Sequence, residues 1–280
     1  MRKITGRGRL AFKYCLSAAA VLAMFLSVSF LTACGGRQSV AFIIAGSTSV
    51  QPYVEILTEA YAIHHPDILI DVQGGGSSAG IQAVESNTAE LGMSSRNLRE
   101  SEMHLWSVEI AKDGLAIIVN PSNPIGNLTL DQIRGIYAAD ITNWSELGGP
   151  AKGIHVIARE EGSGTRSAFE EMVMDGRRIS PRSIIQDSNG AVRQIVSSDP
   201  YSIGFISLGL VEIGERPVKA VQIGGIEPSR ENVIDGSYTL FRSFLFVARE
   251  EPADYAMHFI DFIRSPEGHR VLVAEGLIPD

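Results

Sequence analysis

Ile68-Leu69-Ile70-Asp71-Val72-Gln73-Gly74-Gly75-Gly76-Ser77-Ser78-Ala79-Gly80-Ile81-Gln82-Ala83-Val84 reads as a strand, a glycine and hydroxyl loop, and a helix, with nothing between them. The short branched run at 68–72 has strand character, and from 78 to 86 the apolar positions Ile81 and Val84 fall at helical spacing. The same construction occurs twice more. Gly46-Ser47-Thr48-Ser49 follows a strand at 40–45 and enters a helical stripe of Val50, Val54, Leu57 and Tyr61, with Pro52 near its first turn. Glu161-Gly162-Ser163-Gly164-Thr165-Arg166 follows a strand at 154–158. Strands that run directly into helices build an α/β domain.

The rest of the chain keeps this alternation. Further strands are expected at 91–93, 114–120, 203–206, 220–223 and 244–248. Thr129-Leu130-Asp131-Gln132 is a capping box that opens a helix bearing Ile133, Ile136 and Tyr137. The last helices carry Phe259, Ile260 and Ile263, then Val271 and Leu272 after the cap Ser265-Pro266.

Each glycine and hydroxyl loop is a piece of an anion cradle. A helix N-terminus presents unpaired N–H groups and the positive end of its dipole, glycine lets an oxyanion approach the backbone, and Ser or Thr adds O–H donors. Any one loop reads equally well as helix capping, but three in one chain, with Ser94-Ser95-Arg96 closing a fourth strand, point to a common site. Ser188-Asn189-Gly190 is a further candidate loop that also reads as a cap. Arg159 ends its strand four residues before Ser163, within reach of an anion held by the following helix. Glu161, two residues on, is placed by strand alternation to brace that guanidinium or to accept a proton from a protonated oxyanion.

Composition narrows the function classes. With 280 residues, 45% of them hydrophobic, 20% charged and 28 glycines, the chain is neither disordered nor fibrous. Arg2, Lys3, Arg7, Arg9 and Lys13 precede a nearly unbroken apolar run at 14–33, the pattern of an export signal. Its end, Leu31-Thr32-Ala33-Cys34-Gly35-Gly36, resembles the bacterial lipobox. That resemblance implies cleavage after residue 33, a lipid on Cys34, a short linker at 34–38, and a protein anchored on the extracytoplasmic face of the membrane. Without residues 1–33 the chain keeps 19 basic and 32 acidic residues, a net charge of −13, which argues against nucleic acid as a partner. An anion site on so acidic a protein has to work by local donors. Cys15 leaves with the signal and Cys34 carries the lipid, so no thiol remains for a disulfide. His64, His65, His104, His155, His258 and His269 show no metal-ligand spacing, and no metal or cofactor is expected.

Two other motifs compete with the cradle. Gly76-Ser77-Ser78-Ala79-Gly80 has the GxSxG spacing of a nucleophile elbow, which would make Ser78 a hydrolase nucleophile with His258 or His269 as base. Gly74-Gly75 lengthens that loop beyond a tight elbow, and the other two loops would go unexplained. A P-loop is excluded because no glycine loop is followed by Lys-Ser or Lys-Thr.

Read together, Gly46-Ser47-Thr48-Ser49-Val50-Gln51-Pro52, the 73–80 loop, Gly92-Met93-Ser94-Ser95-Arg96, Gly162-Ser163-Gly164-Thr165-Arg166 and Ser202-Ile203-Gly204-Phe205-Ile206-Ser207 resemble the phosphate-binding lipoproteins of bacterial ABC importers, the PstS family. The segment from Asp113-Gly114-Leu115 to Asn143-Trp144 does so too, and the similarity runs through residues 40–280. The resemblance implies a type II periplasmic-binding-protein fold. Two lobes, 39–117 with 243–280 and 118–242, would be joined by crossovers near 117–120 and 241–245. It implies phosphate held between them by Thr48, Ser49 and Ser77 from one lobe and by Arg159, Ser163, Gly164 and Thr165 from the other, with Ser47 in support. It also implies a monomeric, non-catalytic receptor that delivers its ligand to a membrane permease. Ser95 stands where the best-known branch of the family has an aspartate that takes the phosphate proton, so Ser95 and Glu161 are expected to share discrimination against sulfate. Sulfate, molybdate or tungstate is the alternative cargo.

Overall fold

The computed structural model describes residues 40–211 and 217–280. The expected signal, linker and lipidated Cys34 lie outside the described residues. In chain order the strands are β1 (Val40–Gly46), β2 (Ile68–Gly74), β3 (Leu91–Ser94), β4 (Trp106–Val119), β5 (Asn127–Leu128), β6 (His155–Arg159), β7 (Ile184–Gln186), β8 (Ser202–Ser207), β9 (Lys219–Ala220), β10 (Gln222–Ile223), β11 (Phe241–Ala248) and β12 (Ile278–Pro279). The helices are α1 (Gln51–His64), α2 (Ser77–Glu85), α3 (Leu130–Tyr137), α4 (Gly164–Phe169), α5 (Asn189–Ser198), α6 (Arg230–Ile234), α7 (Asp254–Ile263) and α8 (Pro266–Ala274). No helix among the described residues is long and apolar enough to cross a membrane.

One mixed sheet carries the site, in the order β2-β1-β3-β11-β4-β8-β6-β7. β1 pairs in parallel with β2 and β3, and β6 with β7 and β8, so the strands that feed the three glycine and hydroxyl loops belong to parallel groups. Antiparallel β11 and β4 join these groups. β4 exchanges neighbours along its length: residues 106–114 pair with β11, and 115–119 pair with β8.

The near-continuous apolar run of β4 follows from burial on both faces. Leu115, Ile117 and Val119 enter one core with Ile133, Ile136, Tyr137, Trp144, Phe169 and Phe205. Ala116 and Ile118 enter another, with Phe42, Val54, Tyr61, Phe244, Phe259 and Ile260. Phe169 and Phe205 stack at 4.2 Å, and Tyr61 meets Phe259 edge-on at 5.2 Å.

The expected strands and helices form, with two departures. β4 begins at Trp106, eight residues before the expected start at 114. Its first half alternates Trp106, Val108 and Ile110 with polar Ser107 and Glu109, a one-face pattern, and a register shift against β11 at Phe244/Leu245 breaks the ladder there. The strand expected at 220–223 is divided, β9 pairing with β4 and β10 with β5, because the chain passes from one sheet to another at Val221. The capping box is present, with Thr129 and Gln132 exchanging side-chain and backbone hydrogen bonds.

Gly46 ends β1 at φ 141°, and a Cβ there would run into the Met93 carbonyl oxygen and lie 2.9 Å from Met93 N. The close β1–β3 approach that aims the first loop therefore requires glycine. Gly46→Ala is expected to cost about 2–4 kcal/mol. Urea unfolding checks this: the midpoint should fall with the slope unchanged.

Candidate functional site

The three loops meet. At the end of β1, Ser47 and Ser49 are buried, and the Ser49 amide donates to Ser47 Oγ. At the N-terminus of α2, the cap residue Gly76 has φ 92°, which leaves Ser77 as the first, fully buried helical residue. After β3, Ser95 donates its amide to Ser77 Oγ at 3.1 Å and accepts from Ser47 Oγ at 2.8 Å. These form one wall, from β1, α2 and β3.

The opposing wall comes from β6 and α4. Ser163 caps α4 by accepting from the Arg166 amide. This uses one lone pair and leaves the hydroxyl proton to donate, so the cap and cradle roles coexist. A Cβ on Gly164 would run into Ser77 Oγ and lie 2.6 Å from Ser95 Oγ, so the two walls touch through backbone. Thr165 Oγ1 lies 2.7 Å from Ser49 Oγ, and the Ser78 amide donates to the Gly162 carbonyl at 3.2 Å.

Arg159 is the charge at the centre, only 1% exposed. Its Nη2 donates to Thr48 Oγ1 at 3.2 Å and to the Asp187 carbonyl at 3.1 Å, and Nε donates to the Gln186 carbonyl. The expectation that Glu161 braces it is corrected by the structure. Glu160 takes Nε at 2.9 Å and Nη2 at 2.8 Å, while Glu161 is exposed and faces a surface groove with Arg99, Arg166 and Arg178. The turn that starts at Glu160 ends the strand alternation on which the choice of Glu161 rested. Arg159 Nη1 is buried with no hydrogen-bond partner among the described residues. Arg242 Nη1 is likewise buried without a partner among the described residues, and a buried guanidinium N–H without an acceptor is costly, a cost that an oxyanion between the walls would relieve.

Four more residues lie beside this cradle; sequence reasoning gave no site role to Arg242, Asp113 or Ser207 and left Asn189 in a candidate loop that also reads as a cap. Arg242 and Asp113 are register partners on β11 and β4, at the point where β4 exchanges neighbours, and both are buried. Asp113 Oδ2 accepts from Arg242 Nε and Nη2, and Asp113 Oδ1 accepts from Ser207 Oγ at 2.7 Å. Burial pushes the Asp113 carboxyl up, with Arg242 and the Ser207 hydroxyl pulling the other way. Burial likewise raises the neighbouring Tyr53 phenol. Asn189 and Ser207 complete the set, Ser207 N donating to Asn189 Oδ1. In the Ser188-Asn189-Gly190 loop, Ser188 caps α5 while Asn189 turns into the site. The burial of isolated polar residues in apolar strands, Asp113 before Leu115 and Arg242 before Phe244, was the available signal.

Ser78 makes no hydrogen bond to His258 or His269 among the described residues, and its amide is committed to Gly162. No cluster of potential metal ligands occurs among the described residues.

A PBP superfamily domain matches residues 34–267. A phosphate ABC transporter substrate-binding protein from Clostridium perfringens, with bound phosphate, is 41% identical over 86% of this chain and 99% of that one, with a TM-score of 0.82. An ABC-type phosphate transport receptor from Vibrio cholerae is 37% identical over 85% of this chain and all of that one, with a TM-score of 0.70. The chain belongs to the PBP superfamily, among the PstS-like proteins. The phosphate-binding protein PstS of Bacillus subtilis, 29% identical over 87% of this chain and 82% of its own length, extends the similarity to curated relatives. In this PBP-superfamily chain the predicted Thr48, Ser49, Ser77, Ser95, Arg159, Ser163, Gly164 and Thr165 occur in one cluster, with Ser47 behind Ser95.

The Ser95 loop is held by an ion pair outside the cradle. Ser94 Oγ donates to the Arg96 carbonyl, and Arg96 donates to both oxygens of Glu102 at 2.7 and 2.9 Å. Glu102 also accepts from the Arg99 amide, and these bonds, Arg96 first, hold its carboxyl below the usual carboxylate range. A lowered folded-state pKa gives stability that is fully present above the unfolded value and lost as pH falls through the folded one. Glu102→Gln is expected to cost about 1–3 kcal/mol at neutral pH and to flatten the acid limb of stability below about pH 4.5. Urea midpoints across an acid pH series measure this, and an unchanged acid limb would assign the sensitivity elsewhere.

Proposed function

We propose that this chain is the extracytoplasmic phosphate receptor of an ABC importer, lipid-anchored through Cys34, which holds inorganic phosphate in the cleft and delivers it to a membrane permease. The observation that carries the reading is the buried Arg159 guanidinium, with one N–H unpartnered, enclosed by hydroxyls and helix N-termini from two walls. The phosphate named for the relatives from Clostridium perfringens, Vibrio cholerae and Bacillus subtilis supports the choice of anion.

In this reading residues 39–117 with 243–280 form one lobe and 118–242 the other. The exchange of partners along β4 and the start of β11 beside it support crossovers there. Thr48, Ser49, Ser77 and Ser95 line the ligand from the first lobe, and Arg159, Ser163, Gly164 and Thr165 from the second. A ligand bonded to both walls binds the closed form better than the open one and so shifts the population toward closure. The permease can then distinguish loaded from empty receptor by shape.

Ser95 takes the place of a carboxylate in discrimination. Its oxygen accepts from Ser47 and lies 3.4 Å from Ser77 Oγ, a pair in which either hydroxyl can be the donor, so Ser95 can give its proton to Ser77 and accept from phosphate or accept from Ser77 and donate to a bare oxygen. Sulfate is therefore disfavoured less strongly than by a fixed carboxylate, which repels any ligand without a proton. Glu161, exposed at the rim, has no direct part in this.

Calorimetry of the ligand-stripped protein with phosphate, sulfate, molybdate and tungstate tests the reading. Tight one-to-one phosphate binding is expected, lowered at least about 100-fold by Arg159→Ala. Ser78→Ala is expected to change affinity by less than about threefold. Response to another oxyanion with phosphate silent would change the cargo and keep the fold. Equal affinity for phosphate and sulfate would remove the discriminating role from Ser95.

A further inference from the structure

Ser49 has a crowded hydroxyl. Asn189 Nδ2 donates to Ser49 Oγ at 2.8 Å, and Arg242 Nη2 donates to it at 3.1 Å. The orientation of the Asn189 amide is set independently, because its Oδ1 accepts from the Ser207 backbone N–H, a group that can only donate. Arginine likewise has donors and no acceptor. A serine oxygen has two lone pairs and one proton, so both lone pairs are in use and the proton must be given away. The acceptor within reach is Thr165 Oγ1 at 2.7 Å. Thr165 then accepts from Ser49, and its own proton finds no acceptor among the described residues. It is left to donate into the cradle beside Gly164.

We infer that Arg242 and Asn189 are positioning residues that fix Ser49 as a donor to Thr165 and so make the Thr165 hydroxyl an obligatory donor toward the bound anion. The inference rests on the oxyanion reading of the site and adds to it a direction of hydrogen bonding that none of the expected site residues sets. Asp113 anchors the head of this chain of bonds by holding Arg242 where β11 meets β4, and Thr165 ends it on the opposing wall. On this side of the site the Thr165 hydroxyl therefore offers a proton to the ligand and takes none from it.

A double-mutant cycle read by phosphate calorimetry tests this, with the melting temperature of the ligand-free protein followed alongside. Arg242→Met is made together with Asp113→Asn, so that no carboxylate is left buried and unpaired. Asn189→Leu removes the other donor without touching a charge, and repeats the cycle should the first variant fail to fold. Each is expected to weaken phosphate binding about tenfold with Ser49 present and less than about threefold in the Ser49→Ala protein, because the hydroxyl through which both act is already gone. Arg242→Lys, which keeps a donor and the partner of Asp113, is expected to stay within about threefold of the unmodified protein. Equal losses with and without Ser49 would overturn the inference, as would a full loss in Arg242→Lys. Absence of phosphate binding by the unmodified protein would overturn the functional reading and this inference together.

Discussion

A guanidinium removed from water must be surrounded by acceptors, and that requirement organises this fold around Arg159. Glu160 supplies two oxygens and the backbone of residues 186 and 187 supplies two more, so β6 and the end of β7 are tied to one side chain. The remaining contact is to Thr48, contributed by the first loop after β1. The Arg159 N–H that is not satisfied from within is, in the proposed reading, where an anion completes the shell. The helix N-termini are secondary to this: they are short-range donors placed around a charge whose position is already set.

The touching of the two walls follows from side-chain size. Gly164 lies against Ser77 and Ser95, and a Cβ on Gly76 would come to 3.0 Å from the Gly162 carbonyl. Glycine on one side and serine on the other allow backbone amides and hydroxyls to face a common point with no apolar bulk between them. Larger residues at these positions would hold the walls apart, and the site would lose the enclosure that makes its donors strong.

The sequence was most legible where periodicity and loop chemistry coincide. The helix at 77–85 and the strands feeding the three loops fall within a residue or two of their expected bounds, and the helix that starts at Pro266 follows its cap Ser265, because there the apolar stripe lies next to a glycine or cap. The early half of β4 was not, since its alternation is confined to one face and broken by a bulge. At the site, the loops named their own hydroxyls, but Arg242, Asp113 and Asn189 come from elements far apart in the chain. Register between β4 and β11 brings the first two together, and no local pattern encodes that register. Strand alternation carried one residue past the turn at Glu160 points to Glu161, whereas the turned backbone presents Glu160 to the guanidinium.

Electrostatics then settles how such an acidic protein can hold an anion. Each buried arginine carries its own carboxylate, Arg159 with Glu160 and Arg242 with Asp113, so the cradle has almost no net formal charge of its own. Attraction comes from oriented N–H and O–H dipoles in a site shielded from water, where they act more strongly than in bulk. A dipolar site of this kind distinguishes ligands less by total charge than by which oxygens carry protons. The direction of each hydrogen bond therefore matters more than the number of basic residues. In the proposed reading, the chain of bonds from Asn189 and Arg242 through Ser49 to Thr165 sets one such direction, and the Ser47–Ser95–Ser77 hydroxyls, which can turn either way, leave the other open.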